Sequence, residues 1–215
     1  MDIWEQGLAE PLLKFIKNPS DVPSIQAMFQ IFARNPAFQA GGEQKILKNP
    51  DFKALYENWV MPGAIDLNQL LRLPENTFGH FYANHMKKNN LDVNFISEFS
   101  ERNVLSYLWM RAKYVHDIGH ILTGFDTSLL GEISLKGFEL SQYYSPAIAA
   151  STAAGLLSIT CLMPDKVEPI FSSFIKGYQL GPQFPLIMGI RWENEWETSL
   201  TELQKKYKLP VSLAS

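Results

Sequence analysis

Apolar residues recur three and four positions apart along nearly the whole chain, the spacing of one helix face, and the strict alternation of a half-buried strand is missing. Trp4, Leu8, Leu12, Phe15 and Ile16 form a first stripe, with Pro11 marking a break in it. Ser20-Asp21 caps a second helix, with Pro23 in its first turn and Ile25, Met28, Phe29 and Phe32 on its inner side. Gly41-Gly42 and Asn49-Pro50 then punctuate the chain. Short helices are expected from Asp51 to Trp59 and from Asp66 to Leu73, the latter ended by Pro74. Thr77 reads as the N-cap of a helix reaching Lys88. Its buried side would carry Phe78, Phe81, His85 and Met86, while His80 falls with Asn84, Lys87 and Lys88 on a solvent face.

The longest periodic stretch runs from about Glu101 to Leu122, capped by Ser100 and stopped near Gly124. Its stripe is Leu105, Leu108, Trp109 and Ala112, continued by His116 and His120. A turn over Thr123–Thr127, with Asp126 or Thr127 as cap, leads to a helix through Gly131, Glu132, Leu135, Phe138 and Glu139. Ser145-Pro146 opens a helix rich in Ala, Gly and Ser, which suits close helix packing or a groove for a long apolar ligand. Pro164-Asp165 closes it and caps a helix through Val167, Ile170, Phe171, Phe174 and Ile175. A last helix is expected from Pro185 past Trp192 and Trp196 to Lys208. With no Asn-Gly or Asp-Gly hairpin signal between Val/Ile/Thr runs, the expectation is all-α: one domain over residues 1–215, a multi-helix bundle around a long central helix.

Composition narrows this. The chain has 215 residues, 46% of them hydrophobic, which suits one sizeable soluble core. A formal net charge of −3 argues against a nucleic-acid partner. The single cysteine, Cys161, excludes an internal disulfide framework and, in an apolar run, reads as a small hydrophobe. Asp2, Glu5 and Glu10 are wrong for a signal peptide or an Arg-rich presequence, so a cytoplasmic location is expected. The stretch nearest to a membrane span, Pro146 to Met163, is diluted by Ser151, Thr152, Ser158 and Thr160.

The chemistry gathers in the central helix. His116 and His120 are one helical turn apart, so both imidazoles leave one face, and that face is the apolar stripe. Buried imidazoles need partners for their nitrogens, and a metal ion satisfies two at once. Asp117 sits at the rim of the same stripe, where an unpaired carboxylate would be expensive. Glu132 follows His120 after eleven residues containing a turn, enough to bring a carboxylate back. Two nitrogens and two oxygens predict a divalent cation, zinc first, with Fe, Mn or Mg as alternatives. A pair of core histidines beside a solvated Asp and a helix-start Glu is the plainer reading of the same residues.

The pattern His116-Asp117-x-x-His120, eleven residues, Glu132 resembles the HDxxH-x11-E signature of the ubiquinone (coenzyme Q) biosynthesis protein four family. Leu73-Pro74-Glu75-Asn76-Thr77-Phe78-Gly79 is similar to that family's LPxxTxG segment, and Leu130-Gly131-Glu132 and Lys136-Gly137-Phe138-Glu139 also fit. The likeness is specific from Pro74 to Glu139, looser to Arg191-Trp192 and weak before about Leu70, so residues 70–215 would be the family core and 1–70 added N-terminal helices. The resemblance implies an all-helical fold and a divalent metal on His116, Asp117, His120 and Glu132, which would then be catalytic. It also implies a polyprenylated hydroxybenzoate as substrate, contact with other quinone-biosynthesis enzymes, and peripheral work at the inner face of a membrane. The reaction implied is removal of the ring carboxylate, coupled in some members to ring hydroxylation.

An isoprenoid tail would lie among Phe78, Phe81, Leu108 and Trp109, with His85 beside it. A non-catalytic prenyl-lipid scaffold would use the same groove, the metal only joining helices. A metal-dependent phosphohydrolase is the other alternative and would recruit His85 and Asp165. Exposed aromatics would also allow a homodimer.

Overall fold

The computed structural model describes residues 2–93, 102–143 and 145–210, without the side chains of 42–44. Among these residues the chain is all-α, its only β pairing an isolated bridge between Thr77 and Ser199. The helices are α1 (Ala9–Lys17), α2 (Val22–Arg34), α3 (Pro36–Ile46), α4 (Pro50–Glu57), α5 (Leu67–Leu70) and α6 (Phe78–Lys88). They continue as α7 (Val104–Thr123), α8 (Leu129–Tyr143), α9 (Pro146–Leu162), α10 (Val167–Leu180) and α11 (Leu200–Tyr207).

The long central helix is α7, around which the others gather. Seventeen of its 20 residues are buried, so it is apolar nearly all round rather than along one stripe, as a core helix must be. The three exceptions, Lys113, His116 and Asp117, share one face and mark where the core opens. The expected start at Glu101 and cap at Ser100 lie outside the described residues. The helix begins at Val104, with the Asn103 side chain accepting from the Ser106 amide at 3.0 Å and donating to the Ala33 carbonyl at 2.8 Å. Its other end stops as expected: Gly124 takes φ 71°, which glycine adopts without strain, and its N–H bonds the His120 carbonyl.

Three expectations are corrected. Gly41-Gly42 does not interrupt the chain but lies inside α3. A Cβ on Gly41 would stand 2.6 Å from the Pro146 ring, so that glycine serves the contact between α3 and α9. The single final helix is instead two short 3-10 turns, Ile187–Gly189 and Trp192–Asn194, followed by α11. The buried Arg111 guanidinium donates to the carbonyls of Met188 at 3.1 Å and Ile190 at 2.7 Å, which ties this irregular segment to α7. Cys161, expected inside, is exposed near the end of α9.

Thr77 precedes α6 as expected, yet its hydroxyl bonds the Pro74 carbonyl at 2.7 Å. The first amides of α6 are satisfied by a distant segment, Phe78 N–H donating to Thr198 O at 2.9 Å and Gly79 N–H to Trp196 O at 2.8 Å. The cap of α8 falls one residue past the expected pair, the Ser128 hydroxyl accepting from Gly131 N–H at 3.3 Å. Asp126 in turn accepts from the Ser128 amide at 3.0 Å. Against α10, α8 packs backbone to backbone: a Cβ on Gly177 would lie 1.7 Å from the Ser134 carbonyl oxygen, and one on Gly137 2.1 Å from that of Phe174. Among the described residues no single helix is long and apolar enough to cross a membrane.

Candidate metal centre and cavity

The site forms where α7 and α8 face one another. From α7 come Lys113, His116, Asp117 and His120, spaced at three and four; from α8 come Glu132, Lys136 and Glu139, at four and seven. Ligand atoms of His116, Asp117 and His120 lie within 4.8 Å of one another. Glu132 stands against both imidazoles, Oε2 3.4 Å from His116 Nε2 and Oε1 3.1 Å from His120 Nε2. All four ligands proposed from spacing are thus brought together.

Each imidazole is oriented from behind. His116 Nδ1 lies 2.8 Å from Glu139 Oε1, and His120 Nδ1 lies 2.8 Å from the Phe125 carbonyl oxygen. A carbonyl only accepts, so His120 Nδ1 carries the hydrogen and its Nε2 lone pair points at the Glu132 carboxylate, another acceptor. Two acceptors 3.1 Å apart need a positive charge between them, a proton or a metal ion. Donors backed by a carboxylate and a carbonyl, with Nε2 aimed at carboxylates, suit a divalent cation. The back of the site is closed and its front open: the His120 side chain is 1% exposed, His116 24% and Glu132 38%.

The electrostatics agree. For His116, burial and Lys136 favour the neutral ring, but Glu139 and Glu132 prevail and raise its pKa to about 9. Burial pushes the Glu132 carboxyl up, and the hydrogen bonds and charges of His116 and His120 outweigh it and hold the group well below the carboxylate range. Glu139 is likewise pulled down against burial, to about 2, by Lys136 and His116. Lys136, bonded to Glu139 at 2.7 Å, is raised despite its own burial. The cluster is an alternation of charges that holds positive charge at His116.

A cavity of about 880 Å³ opens onto this cluster. Its polar end is made by Lys113, His116, Asp117, Glu132, Lys136 and Glu139. The rest is largely apolar, with Phe15 of α1, Ile25 and Phe29 of α2, Trp109 and Ala112 of α7, and Ile148, Leu156 and Ile159 of α9. The small-residue helix both packs closely and lines the cavity. Ser158 packs close enough to bond the Ile16 carbonyl at 2.6 Å, while Ser151, Thr152 and Gly155 line the cavity.

Of the five residues expected in the groove, only Trp109 lines it, stacked on Phe29 with ring centroids 3.9 Å apart. Phe78 is fully buried and packs on Tyr82, Trp192 and Trp196; Leu108 is core; Phe81 is half-buried against that core. His85 stacks on His120 at 5.5 Å, behind the cluster rather than in the cavity, and burial lowers its pKa. On α6 it is Tyr82, one turn beyond Phe78 on the same face, that reaches the cavity. His80, expected in solvent, is half-buried with Nδ1 3.1 Å from the Leu73 carbonyl. Asp165 is exposed in the turn between α9 and α10, so the set needed for a phosphohydrolase is not assembled. The residues missed were Lys113, Lys136 and Glu139, although Glu132, Lys136 and Glu139 recur on one face of α8 and that spacing was readable.

Comparison with known proteins points one way. Residues 55–212 match the family described as Coenzyme Q (ubiquinone) biosynthesis protein Coq4. A mitochondrial ubiquinone biosynthesis protein COQ4 homolog of Nematostella vectensis is 33% identical over 158 residues, 70% of this chain and 74% of that protein. The Paramecium tetraurelia COQ4 homolog 2, also named mitochondrial, is 28% identical over 174 residues, 77% of this chain and 80% of its own length. Against other relatives the chain spans little more than half their length, 54% for the rat homolog. A crystal structure of a Nostoc punctiforme protein assigned to ubiquinone biosynthesis shares the fold, with a TM-score of 0.81 over 95% of this chain and 98% of that one, at 24% identity.

Proposed function

The chain belongs to the Coq4 family of ubiquinone biosynthesis proteins, and on that footing we propose that it binds a polyprenylated hydroxybenzoate in the cavity and removes the ring carboxylate with a divalent cation, zinc first, at His116, Asp117, His120 and Glu132. The observation that carries this reading is the clustering of the four donors at the polar end of a largely apolar cavity, which His116, Asp117 and Glu132 line and His120 backs. Such a space takes an amphiphile, tail among Phe29, Trp109 and Ile159, head at the charges.

In the reaction the bond between ring carbon and carboxylate breaks, CO2 leaves, and the electron pair left on the ring takes a proton. The bound cation would supply Lewis-acid stabilisation of negative charge on the head group. The protein's own residues do the positioning. Glu139 and the Phe125 carbonyl hold the two Nδ1 atoms, which turns both Nε2 atoms to the front. The apolar walls exclude water and strengthen every charge interaction at the head. Ring hydroxylation would require an oxidant from another protein and is not assigned to these residues. Exposed Leu157, Leu162, Phe171 and Ile175 on α9 and α10 support work against a membrane surface beside other enzymes of the pathway.

One observation favours a second reading. Glu132 already reaches both imidazoles, so with Asp117 the protein could close a tetrahedral shell, as structural sites do. In that reading the protein carries the lipid without transforming it. Incubating metal-loaded protein with a prenylated hydroxybenzoate labelled in its carboxyl group separates the two. Release of labelled CO2, lost in His116→Ala at unchanged helix content, is the expected result. Tight lipid binding with no release would leave the carrier reading standing.

A further inference from the structure

We propose that Tyr82 determines ligand specificity, its hydroxyl donating a hydrogen bond to the ring hydroxyl oxygen of the bound head group. The proposal deepens the reading of the cavity as the site of a prenylated hydroxybenzoate and rests on it. Tyr82 lines the cavity from α6, although it is only 2% exposed. Its ring is fixed by core aromatics, with centroids 5.0 Å from Trp196 and 6.4 Å from Phe78. Neither of those residues lines the cavity, so the end of Tyr82 that meets it is the phenolic one. Among the described residues that hydroxyl has no hydrogen-bond partner. The other tyrosine of the wall, Tyr114, differs: its hydroxyl is directed to Glu193, 3.5 Å away.

A ligand that displaces water from the Tyr82 hydroxyl must offer an acceptor in its place or leave the group unpaired. Burial, with the charge of Asp117 adding to it, raises the pKa of Tyr82, so the phenol stays protonated and is a donor. A hydroxybenzoate offers two unlike oxygen groups. Its carboxylate is matched by charge, and the bound cation supplies that. Its ring hydroxyl is neutral and is matched by neutral donors and acceptors, which the α6 side provides. Asp117 lines the cavity near enough to act on the Tyr82 hydroxyl, and one of its carboxylate oxygens remains an acceptor when the other is on the ion. A hydroxyl between the two receives a hydrogen bond from Tyr82 and gives one to Asp117. A second carboxylate in that place could give none.

The test compares binding of a farnesylated 4-hydroxybenzoate and of the same acid without its ring hydroxyl, by the protein as purified, followed by native mass spectrometry and tryptophan fluorescence. Wild type should prefer the hydroxylated acid roughly five- to tenfold. Tyr82→Phe keeps the ring on Phe78 and Trp196 and gives up no bond within the protein. It should bind the two acids within about twofold of each other, by weakening the hydroxylated one alone, with bound metal per chain unchanged. A Tyr82→Phe variant that keeps the preference, or weakens both acids alike, overturns the proposal. So does loss of bound metal in that variant, which would make Tyr82 a support of Asp117 instead. Equal binding of the two acids by wild type overturns it too while leaving the cavity as the lipid site. Binding of neither by wild type would bring down the proposed function along with it.

Discussion

Two faces of α8 show two ways of joining helices. Toward α10 the helix has Gly137 set against the Phe174 carbonyl and Ser134 set against Gly177, so main chain meets main chain with no room for a methyl group. Toward α7, Leu135 packs against Gly119, and beside it Glu132, Lys136 and Glu139 face the histidines and the open end of the cavity. The first face is made by removing side chains, the second by charging them. One is intolerant of volume and indifferent to pH or metal; the other is expected to behave in the opposite way.

The largest effect should come from Gly177→Leu, which forces the α8–α10 crossing apart at a destabilisation of about 3 kcal/mol or more, read by chemical unfolding. A loss below about 1 kcal/mol would mean the crossing yields and the contrast is false. On the other face, His116→Ala should abolish metal binding, measured as bound metal per chain by elemental analysis, with circular dichroism unchanged. Retention of one ion per chain would remove the α7–α8 cluster from consideration as the metal site.

Glu139→Gln is a finer probe. It keeps the volume and weakens the hold on His116, and should lower metal affinity about 10- to 100-fold in competition with a chelator. The same residue gives a pH prediction. Its carboxyl is depressed from 4.5 to about 2, so its stabilisation is present above pH 4.5 and lost as pH falls through about 2. Melting of the wild type should therefore fall across that window more steeply than melting of Glu139→Gln. The smallest effect belongs to the start of α8, common to both faces: Ser128→Ala removes the bond to Gly131 N–H, costs about 1 kcal/mol and lowers Tm by about 2–4 °C, leaving metal affinity alone.

These contrasts explain what could be read from the chain. Helix caps and stops are local, so Asp66, Asn49 and Gly124 do near their helices what their chemistry predicts. His116, His120 and Asp117 were legible because one helix carries them and its period places them. Glu132 was legible from a single turn's length. Glu139 was equally regular in spacing, but its task depends on facing α7, a tertiary relation no period reveals. The groove failed for a related reason: Phe78 and Tyr82 share a face of α6 one turn apart, and Phe78 is taken up by a partner, Trp196, that lies more than a hundred residues away. Gly41 misled because a glycine can mark a turn or a close approach, and only Pro146 decides which.

The guanidinium of Arg111 sits in the helix that carries the histidines, yet its carbonyl partners lie 77 and 79 residues downstream. During synthesis α7 is made before they are, and burying its guanidinium without them would leave a desolvated cation unmatched. Stable packing of that helix is thereby tied to a segment 77 to 79 residues further along the chain. A nascent chain stalled before Met188 should lack protease resistance in α7, and one released past Ile190 should acquire it.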